Sequence, residues 1–126
     1  MTTVALDASA LMAPVERDLR LFDELDRLLG AVDPAVPDAV VEELDRLAGS
    51  GGEEGRAARV GRDLAARCRT IDTNEQNGDD ALVSLAEAGE AAYVVTADRG
   101  LRDRLLDAGA SVIGPRGSAT LAVTEP

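Results

Sequence analysis

The stretch TVALDASALM, residues 3–12, is a short apolar strand that ends on an acid and runs at once into a helix-forming segment. A carboxylate at the end of a buried strand is poorly solvated, so Asp7 calls for a cap, an arginine or a metal ion. Residues 91–103, AAYVVTADRGLRD, repeat the arrangement with Asp98. In an open parallel sheet, sites form at the carboxyl ends of strands where the strand order reverses. If the first and fourth strands are neighbours, Asp7 and Asp98 occupy equivalent positions and share one cleft. The plainer alternative is that each is a helix N-cap.

Short β runs alternate with helical stretches along the chain, the pattern of an α/β domain with a parallel sheet. Strands are expected at residues 3–7, 35–36, 69–72, 91–98 and 111–114, with one more short strand around 121–123. Helical periodicity through Leu19, Phe22, Leu25, Leu28 and Leu29 stops at Gly30. Asp38 is the expected N-cap of a helix that ends at Gly49. GSGGEEG, residues 49–55, reads as a surface turn, because neither side is long enough to fold alone. The next helix places Ala57, Val60, Gly61, Leu64, Ala65 and Cys68 on one face. Further helices follow at 79–89 and at 99–109, the latter with Leu101, Leu105 and Ala108 inward. The expectation is one domain over residues 1–126, without internal repeats.

Composition removes several chemistries. Phe22 and Tyr93 are the only aromatic residues, so the core must be Leu, Val and Ala. Without histidine there is no Ser-His-Asp or Cys-His chemistry and no histidine-bound zinc. Without lysine there is no Walker-type phosphate loop, and a phosphoacceptor receiver domain loses its customary lysine. The lone Cys68 excludes an internal disulfide framework and most thiolate metal sites. No apolar run approaches the roughly 20 residues of a membrane span, and no signal peptide is visible, so a cytoplasmic protein is expected.

Acids outnumber basic residues 24 to 13, and every basic residue is arginine. The net charge of −11 argues against non-specific coating of DNA, though not against a nucleic-acid enzyme with a local arginine patch. Excess acid, absent lysine and abundant alanine also suggest a salt-adapted, haloarchaeal source. Greater stability without salt than in molar salt would refute that.

Two more acids face inward. In VVEELDRL, residues 40–47, Val40, Leu44 and Leu47 define the buried face, and Glu43 sits within it. Glu42, neighboured by Asp38, Asp45 and Arg46, faces water. An edge-of-face Glu43 reaching an arginine is the alternative. In GDDALVSLA, residues 78–86, Leu82, Val83 and Ala86 place Asp79 above the buried stripe, while Asp80 turns to solvent. Acids are favoured in a first helical turn in any case. Two carboxylates ~5 Å apart repel by roughly 3 kcal/mol at an effective dielectric of ~20. Four on one rim would protonate in part or bind a hard divalent cation, Mg²⁺ or Mn²⁺, the equipment for metal-assisted phosphodiester hydrolysis.

VALDASALM, VPDAVVEELDRLA, GDDALVSLA and YVVTADRGLRDRLLDAGASVI together resemble the successive motifs of the PIN domain, in order and over nearly the whole chain. The likeness is strongest to small archaeal PIN proteins, which include toxin-like nucleases and relatives of ribosomal-RNA-processing endonucleases. It implies a Rossmann-like three-layer α/β/α fold with a parallel sheet of about five strands, order 3-2-1-4-5. It also implies an Mg²⁺- or Mn²⁺-dependent ribonuclease whose catalytic, metal-binding acids are Asp7, Glu43, Asp79 and Asp98. Ser9 and Thr96 match the family's hydroxyl positions and, with Asp80, are the supporting residues. Ser9 is equally readable as the cap of the following helix.

Two departures from the family stand out. Gly100 occupies a position where many relatives carry a further acid or hydroxyl, the position tied to a second metal. The basic stretch after the fifth strand is reduced to Arg116, which leaves substrate grip to Arg56, Arg59, Arg99, Arg102 and Arg116. Single-stranded or looped RNA is the expected substrate, because a shallow acidic cleft cannot grip a duplex groove. The competing readings are a non-catalytic PIN scaffold in RNA processing or ribosome assembly, a toxin silenced by an antitoxin, and a sugar- or nucleotide-binding module. The last lacks a glycine-rich turn after the first strand. Leu11, Met12 and Phe22 could form a homodimer patch, and core packing explains them equally.

Overall fold

The computed structural model describes all of residues 1–126. Six strands form one sheet: β1 (Thr2–Leu6), β2 (Val32–Pro37), β3 (Arg69–Ile71), β4 (Tyr93–Val95), β5 (Ser111–Pro115) and β6 (Leu121–Thr124). Their order is β3-β2-β1-β4-β5-β6, with β6 antiparallel to β5 and every other pair parallel. The expected order 3-2-1-4-5 is therefore present, extended by the sixth strand. β1 runs between β2 and β4, so the strand order reverses at β1, where the chain crosses from β3 back to β4. The connections are helical: α1 (Ala8–Glu16), α2 (Leu21–Leu29), α3 (Asp38–Ala48), α4 (Gly52–Ala65), α5 (Gly78–Glu87) and α6 (Arg99–Asp107).

The core is aliphatic, as an almost aromatic-free composition requires. Leu6, Leu11, Leu44, Leu82, Leu105 and Ile113 are among its fully buried side chains. Leu11 and Met12 belong to this core, which removes them from any dimer patch; Phe22 is half-buried with the Arg67 guanidinium 4.5 Å from its ring centre. On α4, Ala57, Gly61 and Ala65 are buried as expected, and Ala58 joins them. No helix is long and apolar enough to cross a membrane.

Local differences from the sequence reading have identifiable causes. The first helical region is two helices, because Asp18 takes a left-handed φ of 53° that aspartate tolerates better than most residues. Leu19 is buried in the connector between them. Strand β2 reaches back to Val32 despite two prolines. Pro34 precedes the point, opposite Ala35, where β3 begins to pair, and Pro37 is the last residue of the strand. Asp38 is the first residue of α3 and Pro37 takes the cap position. The Asp38 carboxylate accepts from Ala39 N–H and from both the N–H and hydroxyl of Thr73, tying α3 to the loop after β3. Ala108 is exposed, since α6 ends at Asp107.

Candidate functional site

At the carboxyl ends of β1 and β4, Asp7, Glu43, Asp79 and Asp98 line one narrow cleft of about 80 Å³, together with Ala8, Ser9, Val40 and Gly78. Each acid comes from a different segment: the end of β1, α3, the first turn of α5, and the start of α6. None of the four is ion-paired to an arginine.

Asp7 is the buried member, 6% exposed. Its carboxylate caps α1 by accepting from Ala10 N–H at 2.8 Å. It also accepts from the Ser9 hydroxyl at 2.7 and 2.9 Å, and from the Thr96 hydroxyl. Burial pushes its carboxyl from 3.8 up to about 6, against the hydrogen bonds of Thr96, Ala10 and Ser9; the negative charge of Asp79 adds to the rise. Ser9 does not cap the helix, because Asp7 does. Its hydroxyl instead accepts from Ala97 N–H at 2.9 Å, joining the start of α1 to the chain after β4.

Asp98 is also an N-cap, accepting from Leu101 N–H at 3.2 Å. The capping role and the cleft position thus coincide for Asp7 and Asp98, although β4 ends at Val95 and not, as expected, at Asp98. Their positions are not equivalent in register. Leu6 pairs with Val95, which puts Thr96, not Asp98, level with Asp7. The extra residues turn Asp98 back over the cleft. Gly100 has a local reason: a Cβ there would lie 3.3 Å from Asp98 Oδ1.

Asp79 does not serve as a cap. Asn77 fills that position, its side-chain oxygen accepting from the N–H groups of Asp79 and Asp80. The Asp79 carboxyl is raised, first by burial and then by Asp98, while Arg104 opposes the shift. Asp80 faces away from the cleft and pairs with Arg104 at 2.9 Å. Glu43 is half-buried and makes no hydrogen bond or ion pair. Gly78 permits its approach, since a Cβ at Gly78 would meet Val40 Cγ2 at 3.0 Å and Glu43 Oε2 at 3.6 Å.

The cleft opens into a wider polar trough of about 260 Å³ that shares Glu43, Gly78, Asp79 and Asp98 and adds Ala39, Arg46, Gln76 and Asn77. Sequence reasoning missed these last residues. The signal available was Arg46 three positions beyond Glu43, one helical turn along the same side. None of Arg56, Arg59, Arg99, Arg102 and Arg116 lines the cleft or the trough. Arg59 donates to the carbonyls of Ala48 and Ser50, an anchor for the α3–α4 turn. Arg102 lies 3.6 Å from Asp103. Two further hollows, of about 230 and 240 Å³, flank Phe22 and Arg67, and neither gathers more than a single acid.

The donor set of the cleft is carboxylate and hydroxyl oxygen, which suits Mg²⁺ or Mn²⁺ and no soft metal. No three acids stand close enough to form a ready-made cage. Mg²⁺ keeps several waters and is commonly held by one or two carboxylates, so the cleft fits such an ion in composition.

The description "PIN like domain" belongs to a family whose pattern matches residues 4–118. Among solved structures, that of the PIN domain endonuclease Utp24 superposes with a TM-score of 0.79 at 23% identity, covering 98% of this chain and 92% of the other. A domain of a functionally unknown protein from Methanocaldococcus jannaschii gives 0.68 at 16% identity, with 94% of each chain covered. Human GEN1, solved in complex with Holliday junction DNA, gives 0.52 at 13% identity, over 98% of this chain and 38% of the other. At these identities the likeness is one of fold. No curated protein matches the sequence.

Proposed function

The chain belongs to the PIN-like domain family, and from that premise we propose that it is a divalent-metal-dependent endoribonuclease acting on single-stranded or looped RNA. The observation that supports this best is the meeting of four acids from four segments in one cleft with no arginine paired to any of them. Asp7 and Asp98 also cap helices, but Glu43 and Asp79 serve no cap or ion pair, and carboxylates crowded at one rim cost stability.

In this reading Asp7, Asp79 and Asp98 would hold Mg²⁺ or Mn²⁺, and Glu43 would bind it directly or through water, or help to orient the nucleophile. When bound, the ion supplies Lewis acidity, making water a nucleophile near neutral pH and offsetting charge on the phosphate oxygens. Ser9 and Thr96 fix the rotamer of Asp7 through hydrogen bonds that only its ionised form accepts in full. The Glu43 side chain makes no hydrogen bond or ion pair within the chain, so it remains available to orient a water molecule in the cleft. The cleft offers no serine, cysteine or lysine nucleophile beyond Ser9, whose hydroxyl is already committed to Asp7 and Ala97, so hydrolysis proceeds without a covalent protein intermediate.

A second reading, a non-catalytic PIN scaffold in RNA processing or ribosome assembly, is favoured by Gly100 and by the basic stretch reduced to Arg116. Cleavage of structured and unstructured RNA in Mn²⁺ separates the two. Wild type should cut, Asp79→Asn should not, and Asp80→Asn should keep most activity. Cleavage that survives excess chelator would refute the metal mechanism, and equal loss in both variants would refute the assigned face of α5.

A further inference from the structure

Arg46 stands apart from the other arginines. Most of those are engaged: six lie within 4 Å of a carboxylate, Arg59 holds backbone carbonyls and Arg67 lies over Phe22. Arg46 makes neither an ion pair nor a side-chain hydrogen bond, although Glu42 and Glu43 lie on its own helix. Of the unengaged arginines it is the one that lines the trough.

The trough and the acidic cleft are two parts of one depression, joined through Glu43, Gly78, Asp79 and Asp98. Asp7 lies at one end and Arg46 at the other. At the start of α5 the side-chain oxygen of Asn77 already takes the N–H groups of Asp79 and Asp80. The helix terminus therefore does not offer those donors to an anion, and the side-chain donors left in the trough are the Arg46 guanidinium and the Gln76 and Asn77 amides. A guanidinium that shares the trough with Glu43, Asp79 and Asp98 and is bonded to none of them is placed for an anionic group that bridges acid and base ends. A nucleic-acid strand provides one, since its phosphates recur at every nucleotide.

We infer that Arg46, aided by the Gln76 and Asn77 amides, grips the phosphate neighbouring the scissile one, so that the trough sets the side from which the strand is held. This rests on the cleft being the cutting site. Arg46 is a binding residue, and its loss should act on affinity and leave the chemical step nearly intact.

The test is equilibrium binding of a labelled single-stranded oligoribonucleotide across a salt series, with Ca²⁺ present. Wild type, Arg46→Gln, Arg46→Lys and Arg17→Gln are compared; Arg17 lies at the far end of α1. Cleavage in Mn²⁺ is measured in parallel. Arg46→Gln should weaken binding about tenfold and reduce the salt slope by ~0.7, the contribution of one phosphate on a single strand. Arg46→Lys should restore the slope and part of the affinity, and Arg17→Gln should match wild type. In Mn²⁺, KM should rise with kcat changed less than about threefold. If Arg46→Gln binds with wild-type affinity and slope, the inference is overturned whatever the cleavage result. If binding depends on Arg46 while wild type cuts nothing, Arg46 still grips a phosphate, but the hydrolytic reading falls and with it the placing of that phosphate beside a scissile one. An oligonucleotide that wild type does not bind overturns both.

Discussion

The Thr96 hydroxyl donates to the Asp7 carboxylate and, on its other side, accepts the backbone N–H of Asp98 at 3.0 Å. One buried side chain thus holds the rotamer of the first acid and the turn that carries the last. Thr96→Val leaves a buried carboxylate oxygen and an N–H without these partners, and should cost about 1–3 kcal/mol in urea unfolding. Thr96→Ser should recover most of that. Because the Thr96 hydrogen bond holds the Asp7 carboxyl down, Thr96→Val should also move the pH at which Mn²⁺ affinity is half lost upward. An unchanged midpoint would mean that the hydroxyl does not tune the acid.

Asp7 should make the metal-free protein less stable as pH rises. Its folded value, about 6, lies above the unfolded 3.8, so the folded state binds the extra proton between the two. The cost is absent below about pH 4, grows through that window and is complete above about pH 6–7, where it reaches roughly 3 kcal/mol. In chelator, the unfolding free energy of wild type relative to Asp7→Asn should rise by ~1–2 kcal/mol on moving from about pH 7.5 to about pH 5. Saturating Mn²⁺ should stabilise wild type much more than the Asn variant. A pH-independent difference would contradict the raised carboxyl.

Gly78→Ala tests the approach of α5 to α3. Alanine in place of helical glycine ordinarily stabilises by up to about 1 kcal/mol. Here the new Cβ would lie 3.0 Å from Val40 Cγ2 and would face Glu43. The usual gain should vanish or reverse, and RNA cleavage should fall about tenfold as Asp79 moves relative to Glu43. Paired thermal unfolding and rate measurements separate this from a simple loss of folding.

Gly61 marks the crossing of α4 with α1. A Cβ there would meet the Leu11 carbonyl oxygen at 3.0 Å and Leu44 Cδ2 at 3.3 Å. Backbone cannot retreat as a flexible side chain can, so Gly61→Val should destabilise by about 1–3 kcal/mol. Gly61→Ala, which adds the Cβ alone, should cost less than Gly61→Val in the same urea series.

The sequence alone was enough to identify the α/β alternation and the inward face of α3, because both are local patterns; on α5 the buried stripe is Ala81, Leu82 and Leu85, with the expected Val83 and Ala86 only half-buried. A period of two or 3.6 residues puts Asp79 on its face whatever lies opposite, and a leucine–valine core follows from a chain with two aromatic residues. The tertiary structure decided what happens where segments meet. It replaced the supposed equivalence of Asp7 and Asp98 with a level pair of Asp7 and Thr96, because register is set by strand pairing and not by distance from a strand's end. It buried Leu11 and Met12, which periodicity could not distinguish from a surface patch. It also singled out Arg46 from thirteen similar side chains. An arginine's role depends on which carboxylates or carbonyls come within a few ångströms of its long side chain, and those partners lie on segments remote in sequence.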